Sequence, residues 1–469
     1  MSASRLLPTR PWLRRASLQC PYHDQNENSM SLRTVLAACV MQLGVVLPAL
    51  TEDAIDRLKP NRLEKVHRAI AEFQAARQEI PRPGPLKEYR VNLHVHSKFS
   101  HDSRGEIDEI ITAAKRAGTQ VLMFTEHPAE HYDFVTDGHQ GLKDGVLLIP
   151  GAEMKGMLIF PRESVKPVES LQSQDLSLHV RGRSGLTFLS HLEERMDWEL
   201  QGLTGVEIYN THADAKDEKR LFASIKNPLW LIQAAQLFDK YPQEAMSTLL
   251  DYPQDYLRRW DELCAIAPHT GVSANDAHQN IGLKIEVAEG NRCRVEDALG
   301  EELLMLDRKV VSAIQPIPDT AQVGDVVFRM QLDPYENSLR HVGTHVLASD
   351  LTRDAISEAL DRGRAFVAFD WIADARSFDW AAEQGTSRFE MGSSVPLAAG
   401  LKLVGRAPLP GHWRIFRSGK LVSESDGASV EFPVTEAGHH RAELWLDLAG
   451  ERTPWVLCNP IYVREAQRP

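Results

Sequence analysis

Thiol chemistry is nearly missing from this 469-residue chain. Its five cysteines, at 20, 39, 264, 293 and 458, fall at no spacing that suits a thiolate metal site or a disulfide framework. They leave the redox compartment open. Positive charge is short as well: 53 lysines and arginines stand against 65 aspartates and glutamates, a formal charge of −12. That balance, without a basic and aromatic-rich stretch, argues against an extended groove for a phosphate backbone, so no nucleic-acid partner is expected. Long apolar runs are also scarce. TVLAACVMQLGVVLPAL, residues 34–50, has about the length of a signal h-region and is too short to span a bilayer securely. It reads equally well as a secretory signal cleaved between about Ala49 and Asp53 or as a docked N-terminal helix. No stable membrane span is expected.

What the chain does contain is 43% hydrophobic and 25% charged residues, enough for a large core divided into two or three units, with a small-molecule substrate as the default. Imidazoles and carboxylates recur at the ends of apolar runs. YRVNLHVH alternates, placing His94 and His96 on one strand face where both can reach one ion. Asp102 follows in SKFSHDS. VLMFTEH ends on Glu126 and His127, VLLIPGAE on Glu153, LTFLSH on His191, and SANDAH carries Asp276 and His278. GVEIYN runs out into Thr211, His212 and Asp214. Between such runs lie helical stretches, the clearest from Gly105 to Gly118 with Ile107, Ile110, Ile111 and Ala114 at helical spacing. Short apolar strands alternating with helices predict βα units, a parallel sheet buried on both faces, and closure into a barrel whose carboxyl end carries the site. Imidazole and carboxylate without thiolate is the donor set of a hydrolytic site for zinc, manganese or iron.

These motifs resemble, in order, those of the polymerase and histidinol phosphatase (PHP) metallohydrolases: an H-x-H pair, a loop Asp or His, T-[DE]-H, G-x-E, an isolated strand-end His and a closing D-x-H. The match spans roughly residues 86 to 280. Within that superfamily, LDPYENSLRHVGTH, GRAFVAFDWIAD and the closing NPIYV are similar to the carbaryl-hydrolase-like (CehA/McbA-type) group. The resemblance implies an α/β fold with a distorted (β/α)7 barrel and two or three divalent ions. It implies that His94, His96, Glu153 and Asp276 surround one ion, that Glu153 bridges to a second held also by His191, and that Asp102, His127 and His278 hold a third. Of His101 and Asp102, the family spacing favours Asp102. The chain departs from three-metal members in lacking a histidine just after Glu153, which puts the ion at His191 in doubt and leaves His179 as a substitute.

The corresponding organisation is an unstructured start with the signal-like stretch over 1–50 and a helical lead-in with a Pro-rich linker over 51–85. The PHP barrel then runs over 86–384 with a helical insertion near 217–264, and a β-sandwich-like domain over 385–469. His341 and His345 read as structural, with no acidic partner placed beside them. Divalent ions lower the pKa of bound water to about 7, so a metal-bound hydroxide is the expected nucleophile. Glu126, His191 and His212 are the catalytic candidates, with Asp214 as a further proton-handling group, and Lys98, Arg104 and Arg195 are candidates for binding an anionic leaving group. The leading function is a phosphoesterase acting on a small phosphate ester. Hydrolysis of a carboxylic or carbamate ester is the alternative, and a non-catalytic metal-binding module is a third class. The oligomeric state stays open.

Overall fold

Nine residues of β1, Lys87–Val95, seed the architecture, because this strand pairs with three others at once. The structure, a computed structural model, describes residues 54–217, 220, 228–314 and 316–465. The signal-like stretch at 34–50 lies outside them, as does part of the expected insertion, 218–219 and 221–227. Downstream of β1 come β2 (Val121–Phe124), β3 (Gly141–Lys143), β4 (Val146–Ile149), β5 (Ala152–Met154), β6 (Met157–Phe160), β7 (Leu186–Leu189), β8 (Gly205–Asn210) and β9 (Thr270–Ala277). Parallel pairing runs from β1 to β2 and β2 to β4, and a bridge from Glu126 to Ala152 carries it to β5. Antiparallel pairs join β5 to β6 and β6 to β7; parallel pairs join β7 to β8, β8 to β9 and β9 back to β1. The ring is therefore closed and mixed, in place of a uniform parallel set. Its strands are fully buried apolar runs such as VLMF and LTFL, as expected where both faces are covered.

The expected helix after β1 spans Ile107–Ala117, burying Ile110, Ile111 and Ala114, and ends at Gly118 with φ 79, a left-handed cap that glycine adopts without a Cβ penalty. The lead-in also forms helices, at Ala54–Arg57 and Pro60–Ala76. In the insertion region, helices occupy Pro228–Lys240, Pro242–Met246 and Gln254–Ile266.

A feature that the sequence did not announce follows His278. Strands β10 (Gly282–Ala288), β11 (Arg292–Asp297), β12 (Glu302–Asp307) and β13 (Val326–Gln331) make a separate antiparallel sheet in the order β12-β11-β10-β13. Asp333 closes this excursion by accepting from the backbone N–H groups of Asn280 and Ile281 at 3.0 and 2.9 Å.

The amino-terminal half of β1 pairs with β14 (Gly343–Ala348), which pairs with β15 (Ala365–Ala368). Beyond them lie β16 (Asp379–Gln384), β17 (Ser387–Glu390), β18 (Ser394–Pro396), β19 (Lys402–Arg417), β20 (Lys420–Pro433), β21 (Gly438–Leu448), β22 (Glu451–Cys458) and β23 (Ile461–Arg464). The C-terminal part is β-rich as expected, but β15 pairs directly with β22, Phe366 opposite Cys458, so the sheet continues from the ring into it. β16 then pairs with β19, Asp379 opposite Arg406. Trp380, Trp413 and Trp455 are fully buried there. His345 is not without acidic partners: its Nδ1 lies 2.6 Å from Glu88 Oε1 and its Nε2 3.0 Å from Asp370 Oδ2. Alternation along YRVNLHV hid this, since Glu88 and Asp370 reach His345 from two other segments.

Candidate metal centre

All eight expected ligands meet at the carboxyl mouth of the ring, in two groups of four: His94, Glu153, His191 and Asp276, and His96, Asp102, His127 and His278. His96 stands in the second group yet stays within reach of the first: its Nε2 lies 3.8 Å from Glu153 Oε2 and 3.5 Å from Asp276 Oδ1, the same two oxygens that face His94 Nε2. Between the two histidines the pairing of β1 shifts register from Leu93 to Val95, and His94 takes φ 64. His191 (φ 45) and Asp276 (φ 50) are also left-handed. Such backbone costs about 1–3 kcal/mol per non-glycine residue and persists where surrounding structure enforces it, often at functional sites.

Asp276 is the hub. Its Oδ1 lies 3.1 Å from His94 Nε2 and 3.4 Å from His278 Nδ1, and its Oδ2 2.9 Å from His212 Nδ1 and 3.5 Å from His191 Nε2. Glu153 faces His94 Nε2 at 3.2 Å and His191 Nε2 at 3.3 Å. In the other group, Asp102 Oδ2 stands 3.4 Å from His127 Nε2 and 3.3 Å from His278 Nε2. His101, in contrast, is 80% exposed at its side chain. His179 sits on the helix Ser173–Arg181, where its Nδ1 accepts from Arg183, and belongs to neither group. The histidine missing after Glu153 has a structural counterpart: Lys155 and Gly156, both with positive φ, form a two-residue hairpin between β5 and β6 that leaves no loop to carry it.

Outer partners fix which ring nitrogen faces the centre. Glu207, fully buried on β8, accepts from His94 Nδ1 at 2.7 Å and, through its other oxygen, from the backbone N–H of His191 at 2.8 Å. His96 Nδ1 donates to Ser100 Oγ at 2.9 Å, which in turn donates to Glu126 at 2.7 Å. His278 Nδ1 donates to the Asp276 carbonyl. His191 Nδ1 meets Glu193, whose other oxygen accepts from Tyr256. Tyr335 donates to the His96 carbonyl at 2.7 Å. In each ring Nε2 is thereby turned towards the cluster, the arrangement by which outer-shell hydrogen bonds orient metal-binding histidines. Glu207, Glu193, Ser100, Tyr256 and Tyr335 are contributions that the motifs did not disclose. A carboxylate in the apolar run GVEIYN was the one available signal, since an unpaired charge on a buried strand is costly.

Among the catalytic candidates, Glu126 is held by Ser97 and Ser100 and acts on the cluster through Ser100; burial raises its pKa. His212 lies on the cluster edge, bound to Asp276. Asp214 instead accepts from the backbone N–H of Asp251. Arg195, expected as an anion-binding cation, donates to the carbonyls of Ser190 and His191 and packs over Trp198. Lys98 pairs with Glu106, and Arg104 donates to the carbonyls of His101 and Ser103.

Burial would lower His94, but the carboxylates of Asp276, Glu153 and Glu207 outweigh it and hold its pKa well above the ordinary value. Burial beside His278 pushes His96 down to about 3. His191, despite burial, is raised to about 10 by Glu153 and Glu193. Burial opposes ionisation of Glu153 and Asp276, yet His94 and its neighbours hold both carboxyls well below the usual range. The carboxylates thus gather positive charge onto whatever stands among them. A cation fits this donor set: His96 Nε2, His278 Nε2, Asp102 Oδ1 and Asp276 Oδ1 are buried without hydrogen-bond partners, the state of polar atoms awaiting a ligand.

Residues 92–241 match the family model for the PHP domain. Among solved structures, the chain is similar to one from Bacteroides vulgatus described as a two-domain protein containing a predicted PHP-like metal-dependent phosphoesterase. The identity is 14% and the TM-score 0.34, over 81% of this chain and 98% of that one. The comparison with curated proteins found no match.

Proposed function

We propose that this chain is a divalent-metal-dependent hydrolase of ester bonds, a phosphoesterase in the first instance, built on a distorted (β/α)7 barrel of the PHP type with the CehA/McbA-type group as its nearest kin. The observation that carries the reading is the pair of ligand groups at one mouth of the ring, with four buried donor atoms lacking partners. His94, Glu153, His191 and Asp276 would hold one ion, and His96, Asp102, His127 and His278 another. Ions bound there supply Lewis acidity, polarising the ester oxygen and acidifying water.

The chain's own residues do the rest. Asp276 touches both groups and sets their spacing. His212 commits Nδ1 to Asp276, so it exchanges protons with substrate or leaving group at Nε2. Glu207 and Glu126 hold the rings of His94 and, through Ser100, His96 in the ligating tautomer. Hydrolysis of a carboxylic or carbamate ester is the second reading. It is favoured by the engagement of Lys98, Arg104 and Arg195 elsewhere, which leaves those cations uncommitted to a phosphate dianion.

The test is elemental analysis of the purified full chain with parallel assays of p-nitrophenyl phosphate, bis-p-nitrophenyl phosphate and an aryl carbamate, before and after chelation. Bound divalent ions and chelator-sensitive turnover of a phosphate ester are expected. Turnover of the carbamate alone would select the second reading, and neither metal nor turnover would reject both.

A further inference from the structure

We infer that the cleft beside the metal centre receives an uncharged, bulky hydrocarbon group of the substrate; this deepens, and rests on, the ester-hydrolase reading. The cleft opens on Asp276 and His212, the two residues that join cluster and proton handling. Its walls are Trp230, Phe238, Met246 and Leu249 from the helical insertion and Ile281 and Leu332 from the two ends of the β10–β13 excursion. Five of these six are only half-buried or exposed, Ile281 at 37%, so apolar surface faces solvent next to the reaction centre. Such an arrangement, apolar walls with a few convergent polar groups, is what small-molecule sites share.

Charge supports the same class. Among the described residues, no lysine or arginine lines the cleft, and its remaining polar groups are Thr211, Asn275, Asn280, Asp333 and Ser338. Asp333 is spent on the backbone of Asn280 and Ile281. A nucleotide or sugar phosphate would bring a second anionic or strongly hydrated group into this space with no cation to meet it. A branched alkyl or substituted phenyl group would replace water on the apolar walls, with affinity rising roughly fourfold per buried methylene.

The experiment uses calorimetric titration of the full chain with 4-tert-butylphenol and, separately, with adenosine monophosphate. In parallel, kcat/KM is measured along an ethyl-to-hexyl ester series of the class that the protein hydrolyses. Ile281→Asp, at a partly exposed position, and Phe238→Asp are compared with the natural chain, with metal content and thermal midpoint recorded for each. Saturable phenol binding at one site, weakened at least tenfold by both substitutions with metal content unchanged, supports the inference, as does kcat/KM climbing along the series. Phenol binding indifferent to both substitutions, a flat ester series, or tighter binding of the nucleotide overturns it. Absence of bound metal and of hydrolysis while the phenol still binds overturns the metallohydrolase reading and leaves the cleft assignment standing.

Discussion

Glu207 shows how much of the centre depends on a residue outside every ligand motif. One of its oxygens orients the His94 ring and the other holds the backbone at His191, where φ is 45. Glu207→Gln keeps the shape but offers one acceptor oxygen in place of two, so a loss of about 10–100-fold in metal affinity or kcat/KM is expected, with little change in thermal midpoint of the chelated protein. Wild-type metal retention and activity in that variant would remove Glu207 from the centre. Asp276→Ala goes further, because it deletes the carboxylate between both groups: metal content should fall, hydrolysis should cease, and circular dichroism should stay as it was. The ligands themselves were legible because each closes an apolar run. The backbone that aims them was not, since the left-handed φ at His94 is a choice that strand alternation cannot anticipate. Glu193, two positions past His191, reads as an ordinary surface charge, and Tyr256 reaches Glu193 from a helix far along the chain.

At the scale of elements, the strands of the ring were visible as bounded apolar runs, while the sheet β10–β13 was not, although VVFRMQ of β13 by itself reads as a strand. Leu303, Leu304 and Val326 of that sheet are exposed while Val287, Cys293, Val295 and Met330 are buried, so exposed and buried apolar residues mix along it and blur the alternation. The 16-residue β19 reads as two strands in the sequence because Pro408 and Pro410 interrupt it; proline cannot donate to a ladder, and the pairing with β20 skips from Arg406 to Gly411. A packing prediction belongs at this level. Gly392, between β17 and β18, has φ 78, and a Cβ there would lie 1.7 Å from the carbonyl oxygen of Arg362, just past the helix Arg353–Asp361. Gly385 has φ 58 with open space around it. Gly385→Ala should cost about 1–2 kcal/mol from the left-handed backbone alone. Gly392→Ala should cost at least twice that, because the obstacle is backbone. Equal denaturant midpoints for the two variants would show that the contact between Arg362 and Gly392 yields freely.

For the whole molecule, His345 is the titrating group at the junction of the ring and the C-terminal strands. Burial would lower its pKa, but Asp370 and Glu88 raise it to about 9. A group raised on folding stabilises fully below its ordinary pKa of about 6.5 and loses that contribution as pH climbs through about 9, a difference on the order of 3 kcal/mol. Urea midpoints of the chelated protein should therefore decline between those pH values, and the decline should flatten in His345→Gln; parallel curves for the two proteins would assign the dependence to other groups. Short strands and turns announce a β-rich C-terminal part but not its attachment, because the pairing of Phe366 with Cys458 joins residues nearly a hundred positions apart. That attachment has a consequence for how the molecule melts. Hydrogen bonds pass without a seam from β1 through β14 and β15 to β22, so neither part can come apart without stripping an edge from the other. Heating should produce one cooperative endotherm whose van't Hoff and calorimetric enthalpies agree. By the same token, grafting the C-terminal strands onto another ring, or trimming them away, would leave β15 as an open template for aggregation.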